Sequence, residues 1–272
     1  MREENTRKLR KLKQELSSMG SLVIAFSGGV DSSFLASIAY EVLGDKALSM
    51  TFATEVHSRF EVQEARKIAE EIGIPHRVIK IKLLDNRKFK ENSPLRCYFC
   101  KKALFSRLKK IAKERGYKHV ACGENVEDET FYRPGMKACR ELNISTPLIN
   151  AGLTKQDIRE LSRERNLSTW NKPSLSCLAT RIPYHMPILP RTLSMIEESE
   201  DFIRQLGISQ FRVRHHGDTA RIEVLPDDMR VLTQEPVREK VIKRLGQIGY
   251  TYISLDLKGY RTGSMDENGQ IE

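Results

Sequence analysis

The sequence predicts an α/β protein with a parallel sheet, followed by a smaller α/β domain. Three observations lead there. In the first two-thirds of the chain, short apolar runs alternate with helical patterns of 10–15 residues, the signature of βαβ units. The first apolar run, SLVIAF, ends in Ser27-Gly28-Gly29 and opens directly into a helical pattern. Beyond the proline-rich segment RIPYHMPILPR the pattern changes to a strand alternation, FRVRHHGDTARIEVL, set among helices.

The elements follow in order. Leu9, Leu12, Leu16 and Met19 recur at helical spacing and mark an amphipathic helix over 5–19. SLVIAFSGG reads as a buried strand, and DSSFLASIAYEVLG as a helix closed by Gly44. KALSMTFAT is the second strand, RFEVQEARKIAEEIG a helix closed by Gly73, and HRVIKIKL the third strand. The polar DNRKFKENSPLR leads to a helix in which Leu104, Leu108 and Ile111 share a face. KHVACG is the fourth strand and GLTKQDIRELSRERN a later helix. The segment with Pro183, Pro187 and Pro190 reads as a linker, so the expected domains are 1–190 and 191–272. The second domain has a helix over 191–206, a hairpin turning at Gly217-Asp218, a helix over 235–247 and a strand in TYISLDL.

Composition sets bounds. Of 272 residues, 39% are apolar and 30% charged, which excludes a collagenous or wholly disordered chain. No apolar run approaches the roughly 18 residues of a membrane span, and MREENTRKLRKLKQEL has no apolar leader core, so a cytoplasmic protein is expected. The formal charge of +10 suits an anionic partner, or simply a lysine-rich surface. Five cysteines in such a protein suggest metal ligands, reactive thiols or core residues rather than a disulfide framework.

The chemistry starts at Ser27-Gly28-Gly29-Val30-Asp31-Ser32. Two glycines let the backbone approach an anion, and the loop amides with the following helix N-terminus supply positive potential. Ser27 and Ser32 add hydroxyls, and Asp31 can order the loop or hold Mg2+ beside phosphates. The string is neither a Walker A loop nor a GxGxxG fingerprint. It resembles the pyrophosphate loop of the ATP pyrophosphatase superfamily. That resemblance implies a five-stranded parallel sheet with helices on both faces. It also implies cleavage of ATP between the α and β phosphates, with Thr51 to Thr54 and Gly123 bordering the nucleotide. The usual Gly-Thr-Asn after the fourth strand reads Gly123-Glu124-Asn125 here.

Cys97 and Cys100 form a C-x-x-C expected directly before a helix, whose N-terminus would favour the thiolate of Cys100 first and of Cys97 second. Cys177 follows in KPSLSCLATRIPY. Lys101, Lys102 and Arg181 would add positive charge if the fold gathers them. Three cysteines suit a [4Fe–4S] cluster with one iron open to an exogenous ligand. Cys122 reads as core, and Cys139 would close the site as a fourth ligand.

Longer strings narrow the resemblance: Thr130 to Gly135, Pro147-Leu148, Gly152 to Lys155, Trp170 to Tyr184, Arg212 to Asp218, and Leu257 to Met265. Together they are similar to the LarE family, ATP-dependent sulfur transferases of nickel-pincer cofactor synthesis for lactate racemase. The resemblance implies adenylation of a carboxylate of pyridinium-3,5-biscarboxylic acid mononucleotide, then replacement of its oxygen by sulfur. One family variant sacrifices the sulfur of a single cysteine at the Cys177 position and leaves dehydroalanine. In the other, three cysteines hold a [4Fe–4S] cluster that carries the sulfur, and Cys97, Cys100 and Cys177 fit that pattern. Catalytic roles are expected for Asp31, Cys177 and Arg181. ATP contacts are expected from Ser27, Gly28, Gly29, Asp31, Ser32, Thr51, Thr54 and Gly123. Alternation places Arg212, Arg214 and His216 on one strand face, with Arg221 and Glu223 on the paired strand, and several Arg together suit a phosphate or carboxylate. Arg261 and Ser264 could join them. Expected partners are the pyridinium substrate, a sulfide or other sulfur donor, and further copies of the chain. Neither a membrane nor a nucleic acid is expected. The competing readings are a cluster-dependent tRNA thiolase and a nucleotide-sensing scaffold with structural zinc.

Overall fold

In a computed structural model, which describes residues 2–130, 134–173, 176–261 and 264–265, the chain divides into two compact units. The first comprises 1–89 and 95–175, and the second 90–94 and 176–272. The proline-rich segment lies inside the second unit. There the Asn92 side chain donates to the carbonyls of Pro183 (2.8 Å) and Met186 (3.0 Å).

The first unit is built on four parallel strands: β1 (Leu22–Ala25), β2 (Ala47–Ala53), β3 (His76–Lys80) and β4 (His119–Cys122), in the order β3-β2-β1-β4. A parallel bridge between Ala121 and Ser145 stands beside β4, where the resemblance implies a fifth strand. Pro147, two residues on, starts a short helix and has no N–H to extend a ladder. Because β2 and β4 flank β1 on opposite sides, the chain leaves the sheet in opposite directions after β1. A crevice therefore opens at the carboxyl ends of β1 and β4, the place where open α/β sheets bind ligands.

The helices cover apolar residues. Helix α1 (Arg2–Met19) buries Leu12, Leu16 and Met19, as their spacing predicts. It packs with α2 (Val30–Leu43) in one core cluster. Helix α3 (Arg59–Ile72) starts at Ser58 with a capping box to Glu61 and ends at Gly73, whose φ of 81° allows the left-handed turn. Helix α4 (Arg96–Glu114) packs Phe105, Leu108 and Ala112 into a second cluster with Val23, Met50 and Val120. Two further helices, α5 (Pro134–Glu141) and α6 (Lys155–Glu164), complete what positions the site.

The second unit packs helix α7 (Pro190–Gln205) and helix α9 (Val237–Ile248) on a mixed sheet of β5 (Phe211–His216), β6 (Thr219–Val224) and β7 (Tyr252–Leu255). A short α8 (Pro226–Thr233) joins β6 to α9. The β5–β6 hairpin turns at Gly217-Asp218 as expected, and β7 joins parallel to β6. No helix among the described residues is long and apolar enough to cross a membrane.

Candidate nucleotide and substrate sites

The loop from Ser27 to Ser32 leaves β1 and becomes the first turn of α2. Gly28 has φ 68°, and a Cβ there would stand 2.9 Å from the Ala65 Cα. Both facts require glycine. Gly29 is the N-cap of α2, and the Ser27 hydroxyl lies 3.3 Å from its amide and 3.1 Å from the Ser32 hydroxyl. Gly123, immediately after β4, is pressed against this loop, since a Cβ would come within 2.8 Å of the Ser32 nitrogen. The expected Ser27, Gly28, Gly29, Asp31, Ser32 and Gly123 are thus one constellation at the β1/β4 crevice.

Two lysines converge on it that the motif itself does not contain. Lys155, the first residue of α6, donates to Asp31 Oδ2 at 2.6 Å, and Lys172 donates to the Gly28 carbonyl at 3.2 Å. Asp31 Oδ1 is buried without a hydrogen-bond partner. Burial raises the Asp31 pKa above its ordinary value, outweighing the lowering by the Lys155 charge. A cation at Oδ1 would satisfy the atom and favour the carboxylate. Sequence reasoning named Lys155 only as part of a family string. A local signal was present, however: Thr154 and Asp157 form the capping box that fixes the start of α6.

Thr51 and Thr54 diverge. The buried Thr51 hydroxyl donates to the Phe26 carbonyl (2.8 Å), so its contact with His76 Nε2 (2.8 Å) makes that nitrogen the donor. Thr54 lies 2.9 Å from His57 Nδ1 and lines a cavity of about 890 Å3 at the carboxyl ends of β2 and β3. Arg59, Arg66, Lys80 and Lys82 also line it, giving an anionic ligand a basic wall. Burial pushes both histidines down to about 4, so they are neutral at pH 7.

The cysteines fall into separate groups. None is in a disulfide. Cys97 and Cys100 lie inside α4, not before it, because the helix begins at Arg96. Cys97 is exposed in the first turn and Cys100 half-buried in the next. Both belong to the first unit; Cys177 belongs to the second. There Cys177 precedes a short turn over Leu178–Arg181. The buried Arg181 holds that turn by donating to the carbonyls of Ser176 (2.6 Å) and Cys177 (3.1 Å). Its other nitrogens bind both carboxylate oxygens of Glu200, at 2.8 and 3.0 Å. Lys101 pairs with Glu124, and Lys102 with Glu141.

Cys122 and Cys139 are buried together in the first unit. A hydrogen bond from its thiol to Cys139, with burial, raises the Cys122 pKa well above the ordinary thiol range. Cys139, which accepts that bond, is lowered.

In the second unit the register sets Arg212 opposite Glu223 and Arg214 opposite Arg221. Arg214 donates to Glu223 Oε2 (3.0 and 2.8 Å), to the Thr180 carbonyl (3.0 Å) and to Ser264 Oγ (2.9 Å). Ser264 in turn donates to Glu223 Oε1 at 2.7 Å, where Arg221 also binds at 3.1 Å. Arg212 lies 5.0 Å from the Tyr260 ring centroid and donates to its neighbour's carbonyl at 2.6 Å. Arg261 donates to the Gly259 carbonyl and lies 3.9 Å from Asp256. Burial and the nearby Arg181 charge lower the Arg212 pKa, against the opposing pull of Glu200. His216 Nε2 is buried there without a partner. Arg212, Arg214 and Ser264 are therefore gathered as the sequence suggested. Glu200, which also accepts from the Val213 amide, was missed. Its signal is a carboxylate among Leu193, Ile196 and Ile203 on the apolar face of α7. Of the longer family strings, Phe131, Tyr132, Arg133, Ser174, Leu175, Thr262 and Gly263 lie outside the described residues.

Residues 3–119 match the NAD synthase family, which accounts for β1, the glycine loop and the flanking sheet. A pyridinium-3,5-bisthiocarboxylic acid mononucleotide synthase of Lactiplantibacillus plantarum is 34% identical over 253 residues, 93% of this chain and 91% of the relative. The chain belongs to this synthase family, LarE. Uncharacterised proteins of Synechocystis sp. and Methanocaldococcus jannaschii are 34% and 32% identical over 95% and 94% of the chain, and over 97% and 98% of their own lengths. A tRNA-specific 2-thiouridylase of Rickettsia felis is 27% identical, over 56% of the chain and 52% of its own length. The LarE likeness thus spans both units, whereas the thiouridylase likeness covers about half of each chain.

Proposed function

We propose that the protein is an ATP-dependent sulfurtransferase acting on pyridinium-3,5-biscarboxylic acid mononucleotide, in biosynthesis of the nickel-pincer cofactor of lactate racemase. The observation that carries the reading is the glycine loop at the β1/β4 crevice, where Gly28 and Gly123 leave no room for side chains. Ser27, Ser32 and the α2 amides receive the phosphates, with Lys155 and Lys172 beside them. Thr51, Thr54 and Gly123 border the nucleoside. The orphaned Asp31 Oδ1 fits Mg2+, an oxygen-seeking cation. A substrate carboxylate oxygen attacks the α-phosphorus, pyrophosphate leaves, and the resulting acyl adenylate is open to sulfide with AMP as the leaving group.

Arg212, Arg214, Arg261 and Ser264 bind the substrate's anionic groups, and His216 can add a hydrogen bond. Arg181 acts on Cys177 through the backbone of its turn. The thiols of Cys97, Cys100 and Cys177 are free of disulfides and not fully buried, which fits thiolate ligation of a [4Fe–4S] cluster. Such a cluster, with one iron open, would present sulfide as the nucleophile. The protein works in the cytoplasm as a homo-oligomer.

The test incubates anaerobic, reconstituted protein with ATP, the pyridinium nucleotide or bulk tRNA, and sulfide. AMP and a thiolated nucleotide, formed over several turnovers by brown protein, are expected. Thiolated tRNA would favour the thiouridylase reading. Colourless protein that loses the mass of one hydrogen sulfide at Cys177 would replace the cluster route by the sacrificial one.

A further inference from the structure

We propose that Cys122, Glu124 and Cys139 form a binding site for a thiophilic divalent cation such as Zn2+, behind the nucleotide loop and separate from the cysteines of sulfur transfer. The two Sγ atoms and a Glu124 carboxylate oxygen all lie within 4.8 Å of one another, the one such group of three among the described residues. Tetrahedral zinc with Zn–S of about 2.3 Å has ligand–ligand edges of about 3.5–3.8 Å, so the three atoms need to close by about 1.0–1.3 Å at most. Both cysteines are almost wholly buried, at 4% and 1% exposure. Two thiols alone would be ordinary core filling. Here a carboxylate and the Lys101 ammonium share the pocket, and core filling does not require them.

Charge balance favours the exchange. Without metal, two neutral thiols and the Glu124–Lys101 pair sum to zero. With metal, two thiolates, one carboxylate, one ammonium and a divalent cation also sum to zero. Replacing two protons by one cation thus leaves no net charge in a buried pocket, where an unbalanced charge is costly. The backbone already holds the donors in place. The Cys122 amide donates to the Ser145 carbonyl (3.1 Å), and the Cys139 carbonyl accepts from Ile144 (2.9 Å). A fourth position is left for water.

The site has a consequence for the loop. Gly123 lies between Cys122 and Glu124 in sequence and is pressed against Ser32. A cation bound by both of its neighbours fixes Gly123 and stiffens the back wall of the nucleotide crevice.

The experiment uses the full chain with Cys97, Cys100 and Cys177 all changed to Ser, so the sulfur-transfer cysteines cannot contribute. Titration with Co2+ should give one equivalent with tetrahedral visible bands and a near-ultraviolet thiolate-to-cobalt transition, reversed by Zn2+. Cys139→Ser should abolish the thiolate transition. Glu124→Gln, which keeps both thiols, should weaken cobalt affinity roughly tenfold. Circular dichroism establishes that each variant is folded. A folded background protein without the thiolate transition, or one whose transition survives both Cys122→Ser and Cys139→Ser, overturns the proposal. Neither result bears on AMP formation or on the cluster, so the outcome is independent of the sulfurtransferase reading.

Discussion

The nucleotide loop and the arginine hairpin both prepare for anions, but by different means. The loop uses backbone: glycines without clearance, a helix N-terminus and hydroxyls within six residues. The hairpin uses side chains: Arg181, Arg212, Arg214 and Arg221, drawn from distant segments and set against Glu200, Glu223 and Asp256. A backbone site is costly to alter by sterics and cheap to keep electrically neutral when empty. A side-chain site must carry its own counter-ions to survive burial. The hairpin cations therefore hold the second unit together as well as facing a ligand, and the two duties can be separated by mutation.

The largest expected effect breaks the counter-ion arrangement. Arg181→Met strands Glu200 in the interior and should destabilise the second unit by about 3–5 kcal/mol in urea unfolding. The same pair sets a pH dependence. Burial alone would raise the Glu200 pKa, but the Arg181 charge holds it below the usual 4.5. Its contribution to stability is therefore present above about 4.5 and is lost as pH falls through the depressed value. A melting midpoint for the second unit that does not change across that acid range would remove the argument.

Next is Asp31→Ala, which should leave the fold intact and lower AMP formation by about 10²–10³-fold, because charge stabilisation is concentrated there. Near-normal AMP release would break the reading of the loop. Arg212→Ala and Arg214→Ala sharpen the contrast within the hairpin. Each should weaken use of the pyridinium nucleotide by about 1.5–3 kcal/mol with little change for ATP. Arg214→Ala should lower the unfolding midpoint more than Arg212→Ala, since it removes two bonds to the fully buried Glu223. Equal weakening of both substrates would make the strand purely structural. Gly28→Ala tests the backbone site itself: it should cost about 1–2 kcal/mol for the left-handed backbone and more for the 2.9 Å approach to the Ala65 Cα, measured as a stability loss accompanied by weaker ATP binding. An unchanged ATP affinity would mean that the close approach to Ala65 is only packing.

Much of the first unit was legible because its signals are local. The apolar runs of β1, β2 and β4 fall inside the segments read as strands, β3 stops at Lys80 short of the expected Leu83, and Gly73 stops α3 where a left-handed residue is needed. The six residues from Ser27 to Ser32 specify their turn without distant help. The sequence misled where a boundary depended on packing. The C-x-x-C reads as standing directly before a helix, yet α4 starts at Arg96 and takes both cysteines in. The proline-rich stretch reads as a linker, yet Asn92 binds it into the second unit.

By itself, then, the sequence determined the strand-to-helix alternation, the glycine loop, the turn at Gly217 and the family strings, all set by backbone preference over a few residues. Tertiary structure decided which charges meet. Lys155 reaches Asp31 across 124 positions, and Arg214 reaches Ser264 across 50. Cys139 arrives beside Cys122 only because α5 packs in the same core cluster as β4. Hydrophobic patterning brings those elements together without regard to charge. The ionic partners within the contact are fixed by register and burial, which no local window of sequence encodes.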